Sequence, residues 1–288
     1  MYPFWDIAVA PALKAAKSRR IVEIGALRGE TTAFMLADLG ADTELHVIDP
    51  VPVFDPSEHE EQFPGRYIFH RDLSLNVLPD LPAVDAALID GDHNWYTVFN
   101  ELRLLSETAR AAEAPLPLLV LHDVGWPYGR RDLYYVPEQI PEEFRQPYAA
   151  QGMLRGQSEL AERGGLNPTN CNATHEGGPR NGVMTAVDDF IDGYDRPLRL
   201  VFLPTYFGLA IVVEETVLEA HPALRDHLDW LEGRDGQAAL VEMTEASRLD
   251  TLVMQHSVYF TDKERSAAAA DRYRGLRAGA LLNAHDIA

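Results

Sequence analysis

Two short stretches of the sequence place acids and histidines side by side. The first is Asp90–His93, with the sequence DGDH, and the second is His122–Asp123. Carboxylates and imidazoles together hold divalent cations such as Mg²⁺, Ca²⁺ or Mn²⁺. The same groups also form general bases whose strength is raised by their neighbours. The residue types leave both kinds of chemistry open.

A simpler explanation of the first stretch is that it only starts a helix. Asp92 or Asn94 would cap the helix that is predicted to begin at Trp95, because such side chains accept hydrogen bonds from the first free backbone N–H groups. Capping needs one residue of this kind, whereas two acids and a histidine fall within four positions here. We therefore expect the stretch to belong to a functional site.

Both stretches lie at the ends of apolar runs that indicate buried strands, Val84–Asp90 and Leu116–His122. In open α/β sheets, ligands bind in the crevice at the carboxyl ends of the strands. Neighbouring strands lie about 4.8 Å apart, so residues just past two strand ends can share one ion or one hydroxyl group. The residues expected to meet in that crevice are Asp90, Asp92, His93, His122 and Asp123.

A turn with two glycines, Gly25–Gly29, follows the first predicted strand, Arg20–Gly25, and precedes a predicted helix, Glu30–Leu39. Glycine lets a ligand come close to the backbone, and the helix start offers free N–H groups to an anionic group. A dinucleotide fingerprint would need glycines at positions 25, 27 and 30, but the chain has Leu27 and Glu30 there. A standard NAD site therefore fits poorly.

Asp49 ends the second predicted strand, Glu44–Asp49. An acid at this place in a nucleotide-binding sheet accepts hydrogen bonds from the ribose hydroxyl groups. Together with the glycine turn, it favours a nucleoside-bearing cofactor at the same edge of the sheet.

Apolar runs alternate with stretches of helical spacing from Ile21 to Val124. This alternation indicates βαβ units around a parallel sheet, to which Arg66–His70 adds a further strand. In the helix predicted over Trp95–Ala112, apolar residues recur at spacings of four and three, and Glu101 lies off that apolar face.

The segment 125–182 lacks this periodicity and is rich in Pro, Gly, Asn and aromatic residues. A long segment of this kind inside a compact domain is usually a lid or a binding loop. Two of its arginines, Arg130 and Arg131, are candidates for binding a carboxylate or phosphate group. Four of its aromatic residues are expected to pack the lid or to stack on a substrate, Trp126, Tyr128, Tyr134 and Tyr135.

The regular pattern resumes after this insert. A helix is predicted over Val183–Tyr194, followed by two strands, Leu198–Leu203 and Tyr206–Glu214. The short turn between them, Pro204–Thr205, makes the pair antiparallel. The rest of the chain reads as helical, with faces that would pack on the sheet or on another subunit.

Charge and composition exclude several classes of partner. The chain has 45 acidic residues against 25 Lys and Arg, a formal charge of −20, so we expect no nucleic acid partner. The single cysteine, Cys171, excludes an intramolecular disulfide and fits a reducing compartment. No run approaches the roughly 20 apolar residues of a membrane helix, and no signal peptide is evident. We therefore expect a cytoplasmic protein that does not bind membranes.

Taken together, these motifs resemble the class I S-adenosylmethionine-dependent methyltransferases. The resemblance rests on E-x-G-x-x-x-G-x-[ST]-[ST] in the first turn, Asp49 after the second strand, IDGDHNW after the fourth and HD after the fifth. It covers residues 21–123 and 183–214. The nearest subgroup is the macrocin O-methyltransferase and cephalosporin-hydroxylase-like group, small-molecule O-methyltransferases of bacterial natural-product and sugar pathways, several of which bind a divalent metal.

The resemblance implies a doubly wound, Rossmann-like α/β sheet of seven strands with an antiparallel last strand. A long lid insert after the fifth strand and a helical C-terminal extension would complete the fold. The expected regions are an N-terminal helical segment (1–20), a methyltransferase domain (21–215, with the insert 125–182) and the extension (216–288). The helices of the extension are candidates for forming a homo-oligomer.

The resemblance also implies where S-adenosylmethionine would bind. The methionine end of the cofactor would lie on the glycine turn, its ribose on Asp49 and its adenine near Asp72. The residues expected to bind the cofactor are Glu23, Gly25, Ala26, Gly29, Thr31, Asp49, Asp72 and Asp90.

The catalytic expectations concern the acidic and histidine stretches. His93 is the favoured general base, because neighbouring carboxylates raise its basicity while it stays largely neutral near pH 7; His122 and Asp92 are the other catalytic candidates. A divalent cation, Mg²⁺ or another, would bind Asp90, Asp92 and Asp123. The macrocin-type proteins carry two adjacent acids where this chain has His122 and Asp123, which makes His122 a base or a third ligand.

The expected function is methylation of a hydroxyl group on a small-molecule acceptor, a natural product or a sugar. The alternatives are a metal-independent N-methyltransferase, a non-catalytic cofactor-binding regulatory subunit and a dehydrogenase. So many ionisable groups at one crevice argue against a mere scaffold, and the glycine spacing argues against a dehydrogenase.

Overall fold

A seven-stranded sheet forms the centre of the protein. The computed structural model describes residues 1–285, with side chains for residues 1–261 and 263. The strands in this part of the chain are β1 (Arg20–Ile24), β2 (Glu44–Ile48), β3 (Tyr67–His70), β4 (Ala86–Ile89), β5 (Leu118–His122), β6 (Leu133–Tyr134), β7 (Tyr148–Ala150), β8 (Cys171–Ala173), β9 (Leu198–Leu203) and β10 (Leu209–Glu214).

Helices cover both faces of the sheet and follow it in the chain. Two short helical turns, Tyr2–Phe4 and Trp5–Val9, precede the first α-helix. The α-helices are α1 (Ala10–Ala16), α2 (Glu30–Asp38), α3 (Pro56–Gln62), α4 (Ser74–Val77), α5 (Trp95–Ala111), α6 (Val183–Gly193), α7 (Glu215–Ala220), α8 (Pro222–Glu232) and α9 (Arg234–His285).

The strand order is β3-β2-β1-β4-β5-β10-β9. β1 to β5 are parallel, and β10 runs antiparallel to both β5 and β9. The order reverses between β1 and β4, which opens a crevice at the carboxyl ends of these strands. Ile24 of β1 pairs with Ile89 of β4, so Gly25 and Asp90 leave the sheet at the same level. The prediction of a doubly wound, seven-stranded sheet with an antiparallel last strand is confirmed.

Each predicted strand of this sheet is present, although most are one or two residues shorter than predicted. The largest difference is at the strand predicted to begin at Tyr206, which begins at Leu209. Tyr206 and Phe207 have φ angles of 45° and 70°, a left-handed conformation that extended strands do not contain. The connection between β9 and β10 therefore spans residues 204–208 rather than the two-residue turn predicted at Pro204–Thr205.

The insert 125–182 contains a small antiparallel sheet in the order β6-β8-β7. Three of its side chains, Tyr128, Leu133 and Met153, join the hydrophobic core that also contains residues of β4 and β5. Part of the insert therefore packs into the domain. Its role as a lid stays a prediction.

The chain divides into two compact units, residues 1–237 and residues 238 onwards. Within the first unit, the apolar face predicted for α8 is buried through Leu224, Leu228 and Leu231. Most of the second unit is the single long helix α9, on which Leu249 and Val253 are exposed. The predicted boundaries at residues 20 and 215, and the predicted homo-oligomer, stay predictions.

Among the described residues, no helix is both long enough and apolar enough to cross a lipid bilayer.

The sequence placed Glu101 off the apolar face of α5. This prediction is wrong, because Glu101 does not lie on the solvent face of the helix. Its side chain is fully buried, and its Oε1 accepts a hydrogen bond from the Ser74 hydroxyl at the start of α4. Burial raises the pKa of Glu101 to about 8, so the group is mostly protonated at neutral pH.

Replacing Glu101 by Gln tests this burial. The pKa of Glu101 lies at 4.5 in its ordinary state and at about 8 in the folded protein, so unfolding releases a proton between these pH values. The raised pKa of Glu101 contributes a stabilisation of the folded protein that is fully present below pH 4.5 and is lost as the pH rises through about 8. We expect the free energy of unfolding of the wild type to fall by about 2–4 kcal/mol relative to Glu101→Gln over this range.

Urea unfolding at a series of pH values measures this difference. Glu107→Gln is the matched control, because Glu107 lies on the exposed side of the same helix in an ion pair with Arg103. A constant difference between the wild type and Glu101→Gln at all pH values would contradict the burial of an uncharged Glu101.

Candidate active site

Four side chains meet at the carboxyl ends of β4 and β5. Nδ1 of His122 lies 3.2 Å from Oδ1 of Asp90 and 3.0 Å from Oδ2 of Asp123. Nε2 of His93 lies 2.9 Å from the same Asp123 oxygen and 3.7 Å from the same Asp90 oxygen. The structure thus brings together four of the five residues that the sequence placed in this crevice.

The backbone directs Asp123 into the crevice by an abrupt change of direction after β5. The φ angle of Asp123 is 59°, which residues with a Cβ atom rarely adopt. Two residues later, the N–H of Gly125 donates a 2.6 Å hydrogen bond to the carbonyl oxygen of Phe207, just before β10. Backbone strain of this kind, about 1–3 kcal/mol, is concentrated at functional sites.

The charges in the cluster compensate one another. Burial by itself would lower the pKa of His93, but Asp123 and Asp90 raise it well above the usual range. Burial likewise opposes protonation of His122, yet the two carboxylates raise its pKa to about 9. The histidines in turn hold the carboxyl pKa values of Asp90 and Asp123 below their usual range, against the effect of burial.

Both imidazoles are therefore protonated at neutral pH in this arrangement. The prediction that His93 is largely neutral near pH 7 is wrong here, because the carboxylates act on it at closer range than the sequence could indicate. A protonated imidazole cannot accept a proton, so either histidine works as a base only after the negative charge beside it is reduced.

The donor set of this cluster fits a divalent cation. Ligand atoms of Asp90, His93 and Asp123 all lie within 4.8 Å of one another. Nε2 of His93 is buried and, among the described residues, makes no hydrogen bond, although an Asp123 oxygen lies 2.9 Å away. Two carboxylates and an imidazole nitrogen that face a common point are ligands for divalent metals such as Mn²⁺.

Asp92 does not join this cluster. Its Oδ2 accepts a 2.9 Å hydrogen bond from the Thr97 hydroxyl in the first turn of α5. The side chain of Asn94 caps the same helix by accepting from the Thr97 N–H at 2.9 Å. Capping and site formation therefore coexist in this stretch, and His93 takes the place that the sequence gave to Asp92 among the candidate metal ligands.

The glycine turn touches the cluster through its backbone. Gly25 has a φ angle of 84°, and a Cβ atom built on it would lie 2.4 Å from the carbonyl oxygen of Asp90 and 2.5 Å from Cα of Gly91. Only glycine fits where the turn after β1 meets the turn after β4. Gly29, with a φ angle of 74°, ends the turn at the start of α2.

Asp49 braces the glycine turn. Its Oδ2 accepts hydrogen bonds from the N–H groups of Ala26 at 3.0 Å and Leu27 at 2.8 Å, and its Oδ1 accepts from the N–H of Val51 at 2.8 Å. A carboxylate has about four acceptor positions, so one remains for a ribose hydroxyl. Binding of ribose by Asp49 stays a prediction, and its structural role in the turn was not predicted from the sequence.

The remaining cofactor candidates differ in their surroundings. Glu23 is buried below the turn and accepts a hydrogen bond from the hydroxyl of Thr32, and burial raises its pKa to about 8. Burial therefore favours the uncharged form of Glu23 at neutral pH, and its part in cofactor binding stays a prediction. Thr31 is half-buried at the start of α2. Asp72 is exposed, and its Oδ1 accepts from Nδ2 of Asn76 at 2.8 Å.

Arg130 and Arg131 of the insert both have partners within the protein. Arg131 is fully buried, and its guanidinium donates to the carbonyl oxygens of Ala173 and Ser158. The prediction that Arg131 binds a substrate anion is therefore wrong. Arg130 forms an ion pair with Asp188 at 2.7 Å.

Three residues of the insert hold His93, a role that the sequence did not indicate. The ring of Tyr128 stacks on the imidazole with centroids 5.5 Å apart and an interplanar angle of 17°. The N–H of Leu133 donates to the carbonyl oxygen of His93 at 2.9 Å. The hydroxyl of Tyr135 lies 3.2 Å from Nδ1 of His93. These contacts join residues more than 30 positions apart, so spacing in the sequence carries no signal for them.

The first residues of the chain also reach the cluster. The α-ammonium group of Met1 lies 3.0 Å from Oδ2 of Asp90. The ring of Phe4 packs edge-on against His122, with centroids 6.1 Å apart, and against Tyr206. These contacts add a positive charge and an apolar wall to the crevice.

Residues 22–124 match the family model Methyltransf_24, described as a methyltransferase domain. The matched segment contains the glycine turn and the cluster at the ends of β4 and β5. The match identifies this segment, which runs from β1 to just past β5, as similar to a methyltransferase domain.

No curated protein shows significant similarity to the chain. Three solved structures illustrate the distant likeness in fold. They are a methyltransferase from Podospora anserina with S-adenosylhomocysteine bound (14% identity, 72% of this chain and 77% of that chain, TM-score 0.43), an O-methyltransferase from Bacillus cereus in complex with S-adenosylhomocysteine (13%, 72% and 81%, 0.41) and an O-methyltransferase from Streptomyces achromogenes involved in tomaymycin synthesis (14%, 71% and 78%, 0.39). Likeness this distant carries no argument about what the chain binds.

The contact between the two turns is testable with a matched pair of glycine substitutions. Gly25 and Gly177 have φ angles of 84° and 85°, but a Cβ atom on Gly177 would meet open space. We expect Gly177→Ala to lose about 1–2 kcal/mol of unfolding free energy from backbone strain alone. Gly25→Ala should lose at least about 2 kcal/mol more, because the turns must move apart. Urea unfolding measures both, and equal losses would contradict the close approach.

Proposed function

We propose that the protein transfers a methyl group from S-adenosylmethionine to a hydroxyl group of a small molecule. The backbone contact between Gly25 and Asp90 carries this proposal. It places a glycine turn suited to a nucleoside-bearing cofactor directly beside a cluster that can remove a proton from a hydroxyl group. The match of residues 22–124 to a methyltransferase domain supports methyl transfer.

The proposed cofactor site follows the carboxyl edge of the sheet from the glycine turn towards β2. The turn lies at the methionine end, and the remaining acceptor position of Asp49 takes a ribose hydroxyl. Asp90 is the acceptor for the methionine α-ammonium group. Its contact with the α-ammonium of Met1 at 3.0 Å supports this assignment, because the two groups are chemically the same.

Asp90, His93 and Asp123 are the residues that would hold a divalent cation. When bound there, a cation supplies positive charge that stabilises the acceptor oxygen as it becomes negative. His93 would serve as a ligand through Nε2 rather than as the general base that the sequence favoured.

His122 is the residue that we assign to proton removal. Its Nδ1 is held by Asp90 and Asp123, and its buried Nε2 has no hydrogen-bond partner among the described side chains. A cation held by the two carboxylates would offset their charge, and the pKa of His122 would then fall back towards its ordinary value. The neutral ring then accepts the hydroxyl proton at Nε2.

Alignment of the reacting groups accounts for the rest of the rate enhancement. The deprotonated oxygen attacks the methyl carbon in line with the carbon–sulfur bond, which breaks to leave S-adenosylhomocysteine. Phe4 and Tyr128 form apolar walls beside the two histidines, so they exclude water and hold the reacting groups together.

Isothermal calorimetry with S-adenosylhomocysteine tests the cofactor assignment. We expect binding to the wild type and a loss of about 1.5–3 kcal/mol for Asp49→Ala, the value typical of hydrogen bonds to a charged group. Asp55→Ala is the control, because Asp55 lies in the same loop and only caps α3. Tight NAD binding without S-adenosylhomocysteine binding would refute the assignment.

The two histidines can be separated by their different tasks. With a panel of phenolic and sugar acceptors, His122→Ala should lower kcat about 10²–10⁴-fold at pH 7, since general-base catalysis contributes that much. His93→Ala should instead weaken Mn²⁺ binding, which electron paramagnetic resonance measures. His175→Ala, an exposed histidine of the insert, is the control.

Chelation completes this test. EDTA should abolish turnover, and added Mn²⁺ should restore it. If EDTA has no effect while His122→Ala remains inactive, the cation is wrong and the base stands, with the charge beside His122 offset by the cofactor's α-ammonium group on Asp90. If EDTA and both substitutions leave turnover nearly unchanged, the cluster takes no part in the reaction, and a metal-independent N-methyltransferase becomes the better assignment.

A further inference from the structure

The imidazole of His93 has its two nitrogens in different surroundings. Nε2 faces the carboxylates of Asp90 and Asp123. Nδ1 faces the hydroxyl of Tyr135 at 3.2 Å, on the side of the insert. To bind a cation at Nε2, the His93 ring must lose the proton from that nitrogen and keep its single remaining proton on Nδ1. Whatever holds the proton on Nδ1 therefore decides whether Nε2 is available.

Stacking on Tyr128 does not determine which of its two orientations the His93 ring adopts. Stacking fixes the plane of the His93 ring. A ring rotated by 180° about its Cβ–Cγ bond lies in the same plane and stacks equally well. The turned ring would place carbon atoms where the two nitrogens now lie. Two contacts distinguish the orientations, that of Nδ1 with the Tyr135 hydroxyl and that of Nε2 with Asp123, because carbon cannot replace nitrogen in either.

We propose that Tyr135 is a positioning residue that accepts a hydrogen bond from Nδ1–H of His93 and thereby keeps Nε2 directed at Asp90 and Asp123. The consequence for a cation rests on the proposed function. Histidine ligands generally donate their second N–H to such a partner, and removing the partner weakens metal binding about 10–100-fold.

The location of Tyr135 connects this role to the acceptor. Tyr135 belongs to the insert, directly after β6, and 58% of its surface is exposed. Its hydroxyl therefore lies at the boundary between the buried cluster and the solvent. A molecule that enters the crevice from the side of the insert would contact the residue that orients His93, so acceptor binding and cation binding should influence each other.

Tyr135→Phe in the complete chain tests the proposal, because it removes only the hydroxyl group. Tyr148→Phe is the matched control: Tyr148 lies in β7 of the same insert, and its hydroxyl has no hydrogen-bond partner among the described residues. Nitrogen-15 NMR of histidine-labelled protein detects a protected Nδ1–H, and a His93→Gln variant assigns the signal. Electron paramagnetic resonance measures Mn²⁺ affinity, and calorimetry measures S-adenosylhomocysteine affinity.

We expect a slowly exchanging Nδ1–H of His93 in the wild type and in Tyr148→Phe, and its loss in Tyr135→Phe. Mn²⁺ affinity should fall about tenfold in Tyr135→Phe only, while S-adenosylhomocysteine affinity stays unchanged in both variants. Occupying the crevice with an acceptor identified in the turnover screen should alter Mn²⁺ affinity in the wild type and less so in Tyr135→Phe.

Two results would overturn the proposal. The first is a wild type without a protected Nδ1–H. The second is a wild type that binds Mn²⁺ together with a Tyr135→Phe variant whose Mn²⁺ affinity lies within twofold of it. A third result separates the proposal from the proposed function. If the Nδ1–H signal is present and depends on Tyr135 while the wild type binds no Mn²⁺, the positioning role is correct and the metal assignment is wrong.

Discussion

Asp90 and Asp123 place two largely buried negative charges at the carboxyl ends of β4 and β5, and the surrounding structure compensates for them. Buried carboxylates are strongly unfavourable unless cations or donors accompany them. Because β4 and β5 are neighbouring parallel strands, the two acids cannot move apart to relieve their repulsion. His93 and His122 supply the opposite charge, and the α-ammonium of Met1 adds a third cation. A site that must hold positive charge is also a site that can exchange protons for a metal ion.

The glycine turn provides the second half of the site through backbone contacts alone. Gly25 packs against the backbone of Asp90 and Gly91, while Asp49 fixes the next two N–H groups of the turn. Both contacts are made within the protein itself, so they favour a preformed turn. Preorganisation of this kind lowers the entropic cost of association, and it ties the position of a bound cofactor to the position of Asp90.

Sequence patterns predicted the strand ends well, because strands buried on both faces read as apolar runs and their polar termini stand out. They did not predict where individual side chains point. Asp92 turns to Thr97 for local helix capping, whereas Asp90, two residues earlier, faces His122. Glu101 finds its partner 27 residues away, and Arg131 is buried by contacts within the insert. Such choices depend on tertiary packing, for which periodicity carries no information.

The position of β10 between β5 and β9 has a consequence for the order in which the chain can fold. During synthesis, β5 remains the open edge of a five-stranded sheet until residues 209–214 have left the ribosome. Its residues Leu118–Leu121 are apolar and entirely buried in the finished protein. An exposed apolar edge of this kind recruits other strands. While roughly the next 90 residues are being synthesised, β5, the strand that carries His122, therefore has an unpaired apolar edge that a chaperone could protect.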